Sequence, residues 1–130
     1  MPNARYAAIS GQQFIGGQRR AEGEAALLSL RADDGQPTGY RFHQATAAET
    51  AAAAEAAAAA FAPYSQLSAE QRANFLDAIA EEIDALDDVF FAFAMQETAL
   101  PLARLSGERA RTSGQMRLFA TLLRRGDVEG

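Results

Sequence analysis

The pattern of apolar and polar positions changes character near residue 45. Before it, short segments alternate, as in Tyr40-Arg41-Phe42-His43, which is typical of half-buried strands. After it, apolar residues recur every three or four positions, which is typical of amphipathic helices. We therefore predict a mainly α fold with a short N-terminal β-hairpin and strand region, an α+β class. We divide the chain into residues 1–45 and 46–130.

The strand region is predicted to open with a tight hairpin. Segments 13–15 and 18–20 flank Gly16-Gly17, and two glycines can both adopt the positive φ that a two-residue hairpin turn requires. Residues 27–31 predict a further strand. The cluster of turn-forming residues over 33–39 then predicts a turn before the alternating segment.

Capping signals set the predicted helix limits. Thr46 and Glu49 form a capping box, and Ser68-Ala69-Glu70-Gln71 gives a second helix start. The first helix is expected to stop before Pro63, and Gly126 is expected to end the last one. These signals predict helices over about 47–62, 69–86, 88–98 and 102–125.

Three helices carry patterns that predict packing. Twelve of the sixteen residues from 47 to 62 are alanine, which favours close approach of another helix or a sheet. In the second helix Glu81, Glu82 and Asp84 are predicted to face away from an apolar face. That face is formed by Phe75, Leu76, Ile79, Ile83, Leu86 and Phe90. The third helix has three phenylalanines in four residues, so either it is buried on more than one side or it exposes an apolar patch.

The last helix changes character along its length. Met116, Phe119 and Leu123 share one face and predict an apolar C-terminal half. From Ser106 to Gln115 there is no large apolar side chain but there are three charges. Such a helix runs from a core to solvent, a partner or a ligand channel, and the pattern alone leaves these three open.

Composition excludes several kinds of site. The formal net charge is −5, and the twelve arginines are scattered, so a nucleic-acid groove is not expected. The sequence contains neither a basic amphipathic helix nor an apolar run of bilayer length, so a membrane partner is not expected. Cysteine is absent, which removes disulfides, thiolate metal sites and a thiol nucleophile, and His43 is the single histidine. The N-terminus lacks a signal peptide's apolar core, so we expect a cytoplasmic protein.

Known catalytic and cofactor motifs are missing from the sequence. It contains no Gly-x-Gly-x-x-Gly, no phosphate-binding Gly-x-x-x-x-Gly-Lys-Ser/Thr, no His-x-x-x-His and no Cys-x-x-Cys. The paired carboxylates are adjacent in sequence, in turns or on solvated helix faces, and do not form a pair across a cleft. From the residues alone we predict no catalytic, cofactor-binding or metal-binding residues.

Several segments resemble the N-terminal quarter of an aldehyde dehydrogenase. Glu97-Thr98-x-Leu100-Pro101 stands where that family usually has Glu-x-Gly-Lys-Pro, and the stretch from Glu97 to Ala120 is most similar to 2,5-dioxovalerate (α-ketoglutarate semialdehyde) dehydrogenases. The other similar segments are the opening Phe14-Ile15-Gly16-Gly17-Gln18, the helix from Thr46 to Phe61, the start of the second helix at Ser68-x-x-x-Arg72-x-x-x-Leu76, and Arg117-Leu118-Phe119-Ala120.

The resemblance implies a non-catalytic N-terminal segment, one incomplete domain of the aldehyde dehydrogenase fold. The parent enzyme would be NAD(P)-dependent and would oxidise a semialdehyde such as α-ketoglutarate semialdehyde to the acid. The family's cysteine, glutamate base and nucleotide-binding glycine turn have no counterpart here. The segment is therefore expected to bind no cofactor and to be inactive alone. NAD or NADP, the rest of the dehydrogenase chain and further copies in a homo-oligomer would be partners of the parent.

The resemblance also places the last helix at the entrance of the substrate tunnel. Arg109, Arg111 and Gln115 are then the candidate tunnel residues, and Arg111, or failing it Arg109, is expected to attract or orient the substrate's carboxylate. The alternative is an ion pair on a solvent or subunit face, including a local pair between Arg104 and Glu108.

A second function class remains open at this stage. The chain could be a stand-alone helical interaction or oligomerisation module that exposes Phe90, Phe91 and Phe93. In either case apolar surface should stay uncovered in the isolated chain, so we expect self-association.

Overall fold

The computed structural model describes residues 9–126 and contains two β-hairpins followed by four helices, which confirms the predicted fold class. Residues 1–8 and 127–130 of the predicted divisions lie outside this range. The elements are β1 Gln13–Ile15, β2 Gln18–Arg20, β3 Ala26–Leu30, β4 Pro37–His43, α1 Ala47–Ser65, α2 Ala69–Asp84, α3 Asp88–Thr98 and α4 Leu102–Arg125.

The chain folds as two compact units, and two of the borders between them fall inside helices. The first unit contains the residues up to 63 together with Gln96–Ala99, and the second contains Tyr64–Met95 and the residues from 100 onwards. Helices α1 and α3 therefore each contribute to both units. Over residues 9–126 every helix is too short or too polar to cross a bilayer.

The predicted glycine hairpin is confirmed in the first unit. Strands β1 and β2 pair antiparallel, and Gly16 and Gly17 have φ values of 58° and 79°. A Cβ added at Gly16 would lie 3.7 Å from the Cβ of Ala56 in α1, so the hairpin turn approaches the alanine helix closely. Small side chains on this face of α1 therefore make room for the hairpin.

The second hairpin has a longer strand than the sequence pattern predicted. Strands β3 and β4 pair antiparallel, with an irregularity between Leu28 and Leu30. Strand β4 begins at Pro37, whereas the turn was expected to extend to Gly39. The turn closes earlier because the Arg31 N–H donates to the carbonyl of Gln36 at 2.8 Å, and Gly39 accommodates a φ of 95° within the strand.

Helix α1 begins at the predicted capping box. The Thr46 hydroxyl accepts from the Glu49 N–H at 3.1 Å, and Glu49 Oε1 accepts from the Thr46 N–H at 3.1 Å. The predicted end before Pro63 is wrong, because the helix continues to Ser65. A proline in the last turn removes one backbone hydrogen bond from a helix of nineteen residues, which the preceding turns tolerate.

In the second unit α2 and α4 pack antiparallel. Arg124, near the end of α4, forms ion pairs with Glu70 at 3.2 Å and Asp77 at 2.8 Å on α2. The start of α4 lies near the end of α2, where the Arg109 guanidinium donates to the carbonyl of Leu86. The most buried residues of the two helices are small and spaced seven apart: Ala73 and Ala80 on α2, Ser113 and Ala120 on α4.

On α2 and α4 the faces predicted to be apolar are therefore rotated about the helix axis from the faces that are buried. Phe75 and Phe119 were expected to face a core but are 53% and 48% exposed. Close packing of two helices is set by small residues, and the larger side chains flank that contact. Of the three phenylalanines of α3, Phe91 is buried and Phe90 is exposed.

Candidate functional site

The polar half of α4 carries a row of three charged side chains. Arg104, Glu108 and Arg111 are spaced four and three residues apart, so they share one face of the helix. The Arg104 guanidinium contacts Glu108 Oε1 through Nη2 at 3.0 Å and through Nε at 3.1 Å. The local ion pair anticipated as the alternative is therefore present, and it occupies Arg104.

Arg111 is held much more loosely. Its Nη1 lies 3.9 Å from Glu108 Oε2, which is beyond hydrogen-bonding distance, and its side chain is 82% exposed. The guanidinium is planar and carries five N–H donors in a fork that matches a carboxylate. The Arg111 guanidinium thus keeps these donors for an external ligand.

A shallow cleft lies beside this guanidinium. It has a volume of about 340 Å³ and is lined by Glu108, Arg111, Thr112, Gln115 and Met116. The Thr112 hydroxyl donates to the backbone carbonyl of Glu108 at 2.8 Å, so its proton is already used. The side-chain amide of Gln115 is exposed and makes no hydrogen bond to any other residue within 9–126. It is therefore available to a ligand held by Arg111.

Arg109 points in a different direction from Arg111. Its Nη1 donates to the carbonyl of Leu86, and its guanidinium carbon lies 4.9 Å from the centroid of the Phe91 ring. A cation beside the carboxyl end of α2 is favourable for the helix dipole. Of the three sequence-predicted residues, the structure therefore brings Arg111 and Gln115 to one cleft and uses Arg109 to join α2, α3 and α4.

An apolar cleft adjoins the polar one. Its volume is about 300 Å³, and it shares Glu108 and Thr112 with the cleft of Arg111. Its other lining residues are Ile83, Leu86, Phe90, Ala94, Leu105 and Arg109. The arrangement places a cationic group at the edge of an apolar depression, which suits a ligand with an aliphatic part and a carboxylate.

A polar cluster fixes α4 against α2 behind these clefts. The nearby Ser113 hydroxyl and then Arg117 lower the pKa of the Asp84 carboxyl, because both can donate a hydrogen bond to its charged form. The Ser113 hydroxyl is also 3.3 Å from the backbone carbonyl of Ala110, so its single proton is shared between two acceptors. Arg117 Nη2 lies 2.7 Å from Asp84 Oδ2. Asp84 is exposed, as its polar position predicted, but its carboxylate also pairs with Arg117 of α4, which the sequence pattern did not indicate. Sequence reasoning missed this cluster, since Asp84 and Arg117 are 33 positions apart and no local pattern links them.

Over residues 9–126 no glycine turn is placed where the phosphates of a dinucleotide usually bind. A dinucleotide's phosphates bind where a glycine-rich turn joins a strand to a helix N-terminus. The positive-φ glycines among residues 9–126 lie before β1, in the two hairpins and after α4. Within the same range no three His, Cys, Asp or Glu side chains are grouped as metal ligands would be.

Comparison with known proteins gives a consistent set of relatives. The model of the aldehyde dehydrogenase family matches residues 27–130. Alpha-ketoglutaric semialdehyde dehydrogenase of Acinetobacter baylyi is 52% identical over 121 residues, which is 93% of this chain and 23% of that protein. Alpha-ketoglutaric semialdehyde dehydrogenase 2 of Azospirillum brasilense is 41% identical over 119 residues, 91% of this chain and 23% of that protein. The chain thus spans about a quarter of the length of these relatives, and the stand-alone interaction module is not favoured.

Proposed function

Because this chain belongs to the aldehyde dehydrogenase family, we propose that it forms the N-terminal, non-catalytic part of a dehydrogenase that converts a semialdehyde such as α-ketoglutarate semialdehyde to the acid. The support is the sequence identity to two semialdehyde dehydrogenases over more than nine-tenths of the chain. Intact mass of the expressed protein, set against the length of its reading frame, tests this part of the proposal. A reading frame that stops near Gly130 would argue against it.

The chemistry of such an oxidation depends on groups outside these residues. NAD(P)+ would accept the hydride that leaves the aldehyde carbon, and a cysteine would hold the acyl group before hydrolysis. This chain has no cysteine. We therefore propose that its 130 residues are inactive alone and that their contribution to the complete enzyme is to bind and orient the substrate.

The proposed binding group is Arg111, with Gln115 beside it. The observation that carries this assignment is the 82% exposed guanidinium, 3.9 Å from the nearest carboxylate oxygen and at the edge of a cleft. Arg109, the other candidate, already binds the Leu86 carbonyl and stacks on Phe91. Arg111 would form a bidentate pair with the substrate's carboxylate while the aldehyde end extends towards the catalytic residues.

Arg111→Met in the complete enzyme tests this assignment. We expect kcat/KM for α-ketoglutarate semialdehyde to fall about tenfold, the effect of losing a charge-assisted hydrogen-bonded pair at a partly exposed site. An aliphatic aldehyde of similar length, without the carboxylate, should keep its kcat/KM. An unchanged value for the acid substrate would show that Arg111 plays no part in binding it.

Two further variants sharpen the result. Arg111→Lys keeps the charge but loses the planar fork, so it should fall between the wild type and the methionine variant. Arg125→Met removes an arginine from the same helix about 20 Å away, at 1.5 Å of rise per residue. If Arg125→Met lowered kcat/KM as much as Arg111→Met, the effect would come from overall charge and not from the cleft.

A further inference from the structure

We propose that Arg104 is a positioning residue that keeps Arg111 available for the substrate by holding the carboxylate of Glu108. This inference rests on the binding role proposed for Arg111. It assigns to Arg104 and Glu108 a part in carboxylate specificity, although Arg104 does not line the cleft.

The geometry of Glu108 carries the proposal. Two nitrogens of Arg104, Nε and Nη2, contact the single oxygen Oε1 at 3.1 and 3.0 Å. The other oxygen, Oε2, lies 3.9 Å from Arg111 Nη1, too far for a hydrogen bond. Glu108 therefore has two cations within reach and is bonded to only one of them.

The position of Glu108 makes its pairing with Arg104 important for substrate binding. Glu108 lines the cleft beside Arg111 and also the adjoining apolar cleft, so its charge lies where a substrate carboxylate would approach. An unpaired Glu108 would repel that carboxylate and would also compete with it for Arg111. Paired with Arg104, Glu108 is largely neutralised, and the row of three side chains keeps a net charge of +1 centred on Arg111.

Helical spacing explains why Glu108 would turn to Arg111 if Arg104 were lost. Residues 108 and 111 are three apart, which is a favourable separation for an ion pair on a helix. Arg111 would then be the remaining cation within 4.0 Å of Glu108 among the residues that the structure describes. Closing the present 3.9 Å gap needs only side-chain rotation, because Arg111 is exposed.

A double-mutant cycle in the complete enzyme tests the proposal. Arg104→Met should raise KM for α-ketoglutarate semialdehyde about threefold, in the range expected for exposed ion pairs, with kcat unchanged. KM for an aliphatic aldehyde should not change. Glu108→Gln should lower KM for the acid substrate. Arg104→Lys should keep that KM near the wild-type value, because lysine places a cation at the same spacing from Glu108.

The deciding variant is Arg104→Met combined with Glu108→Gln. If Arg104 acts only through Glu108, the double variant has the KM of Glu108→Gln alone. If Arg104 attracts the substrate by its own charge, its loss raises KM equally in both backgrounds, and the proposal is overturned. Thermal midpoints of all variants, measured alongside, show whether a change in KM reflects a loss of folded enzyme.

Arg111→Met separates the failure of this inference from the failure of the proposed function. If Arg111→Met leaves KM for the acid substrate unchanged, the binding role of Arg111 fails and this inference fails with it. If Arg111→Met raises KM while Arg104→Met does not, only the role of Arg104 is overturned. Both expected effects, with no further rise when Arg104→Met is added to Arg111→Met, support the proposal.

Discussion

Ala99 is the one residue with an unusual backbone conformation between α3 and α4. Its φ is 58°, and no other non-glycine residue within 9–126 has a positive φ. The left-handed conformation ends α3 at Thr98 and lets the chain turn before Pro101. For an alanine it costs about 1–2 kcal/mol, because the Cβ crowds the following carbonyl oxygen. The Glu-x-Gly-Lys-Pro motif that this stretch resembles has glycine at this position.

Ala99→Gly is therefore expected to stabilise the protein. Relief of the left-handed strain outweighs the larger entropy of glycine in the unfolded chain, so the free energy of unfolding should rise by about 0.5–1 kcal/mol. Denaturant titration followed by far-ultraviolet circular dichroism measures it. The control is Ala110→Gly, the same change at an exposed position inside α4, which should lower the free energy of unfolding by about 1 kcal/mol. Two shifts of the same sign would contradict the assignment.

At the scale of elements, α2 and α4 form the main packed pair of the second unit. Ala73, Ala80, Ser113 and Ala120 are its most buried residues. Their small side chains allow close approach but bury little apolar area, so polar contacts at the edges contribute to fixing the pair. One of these contacts is the cluster of Asp84, Ser113 and Arg117.

The Asp84 cluster predicts acid sensitivity. Because the Ser113 hydroxyl and Arg117 lower the pKa of Asp84, this carboxyl is more acidic in the folded chain than in the unfolded one. The unfolded state then binds the proton more readily, so the stabilisation is present above the ordinary carboxyl pKa and is lost as the pH falls through the folded pKa. The stability difference between wild type and Asp84→Asn should therefore be constant above about pH 5 and shrink as the pH falls through the ordinary carboxyl pKa towards the lower folded pKa.

Two variants check the cause of that pH dependence. Glu55→Gln removes an exposed carboxylate of α1 that has no ion pair within residues 9–126, so it is the control for the loss of one negative charge without the loss of an ion pair. Ser113→Ala removes the largest contribution to the shift, which raises the folded pKa of Asp84, so the acid-dependent loss of stability should be smaller and complete at a higher pH. A flat difference for Asp84→Asn would show that its contacts with α4 contribute nothing to folding.

Sequence reasoning succeeded where a structure depends on neighbouring residues. The hairpin at Gly16-Gly17, the capping box at Thr46 and the left-handed end of α4 at Gly126 are each encoded by two to four adjacent positions, and all three are confirmed. The buried faces of α2 and α4 were not predicted, because a hydrophobic pattern marks the positions of large apolar side chains. At a close helix contact the most buried positions are alanine and serine.

The candidate site was predictable only in part, for a related reason. Helical spacing placed Arg104, Glu108 and Arg111 on one face, and the structure agrees. Helical spacing alone could not show which of Arg109 and Arg111 lines the cleft with a free guanidinium, although the two side chains contact different residues. The direction of Arg109 depends on the Leu86 carbonyl, in the turn after α2, and on the Phe91 ring of α3, neither of which local spacing in α4 can show.

At the scale of the whole molecule, each compact unit leaves large apolar side chains exposed. In the first unit Phe14 and Phe61 are 74% and 72% exposed, and in the second Phe75 is 53% exposed. A monomer does not usually expose several large aromatic residues without a partner surface. The relatives are about four times longer than the chain, so we propose that the remaining parts of the dehydrogenase and neighbouring subunits cover these side chains in the complete enzyme.

The isolated 130-residue chain is therefore expected to self-associate. Burying exposed aromatic side chains between copies removes apolar area from water, and the net charge of −5 opposes association only weakly at physiological salt. Sedimentation velocity over about 10 to 500 µM should show a weight-average mass that rises with concentration. Phe61→Ser should shift the distribution towards monomer without lowering the thermal midpoint, since that side chain is mostly exposed. A single monomeric boundary at the highest concentration would refute self-association, and it would mean that the exposed aromatic residues do not form a sufficient interface between copies.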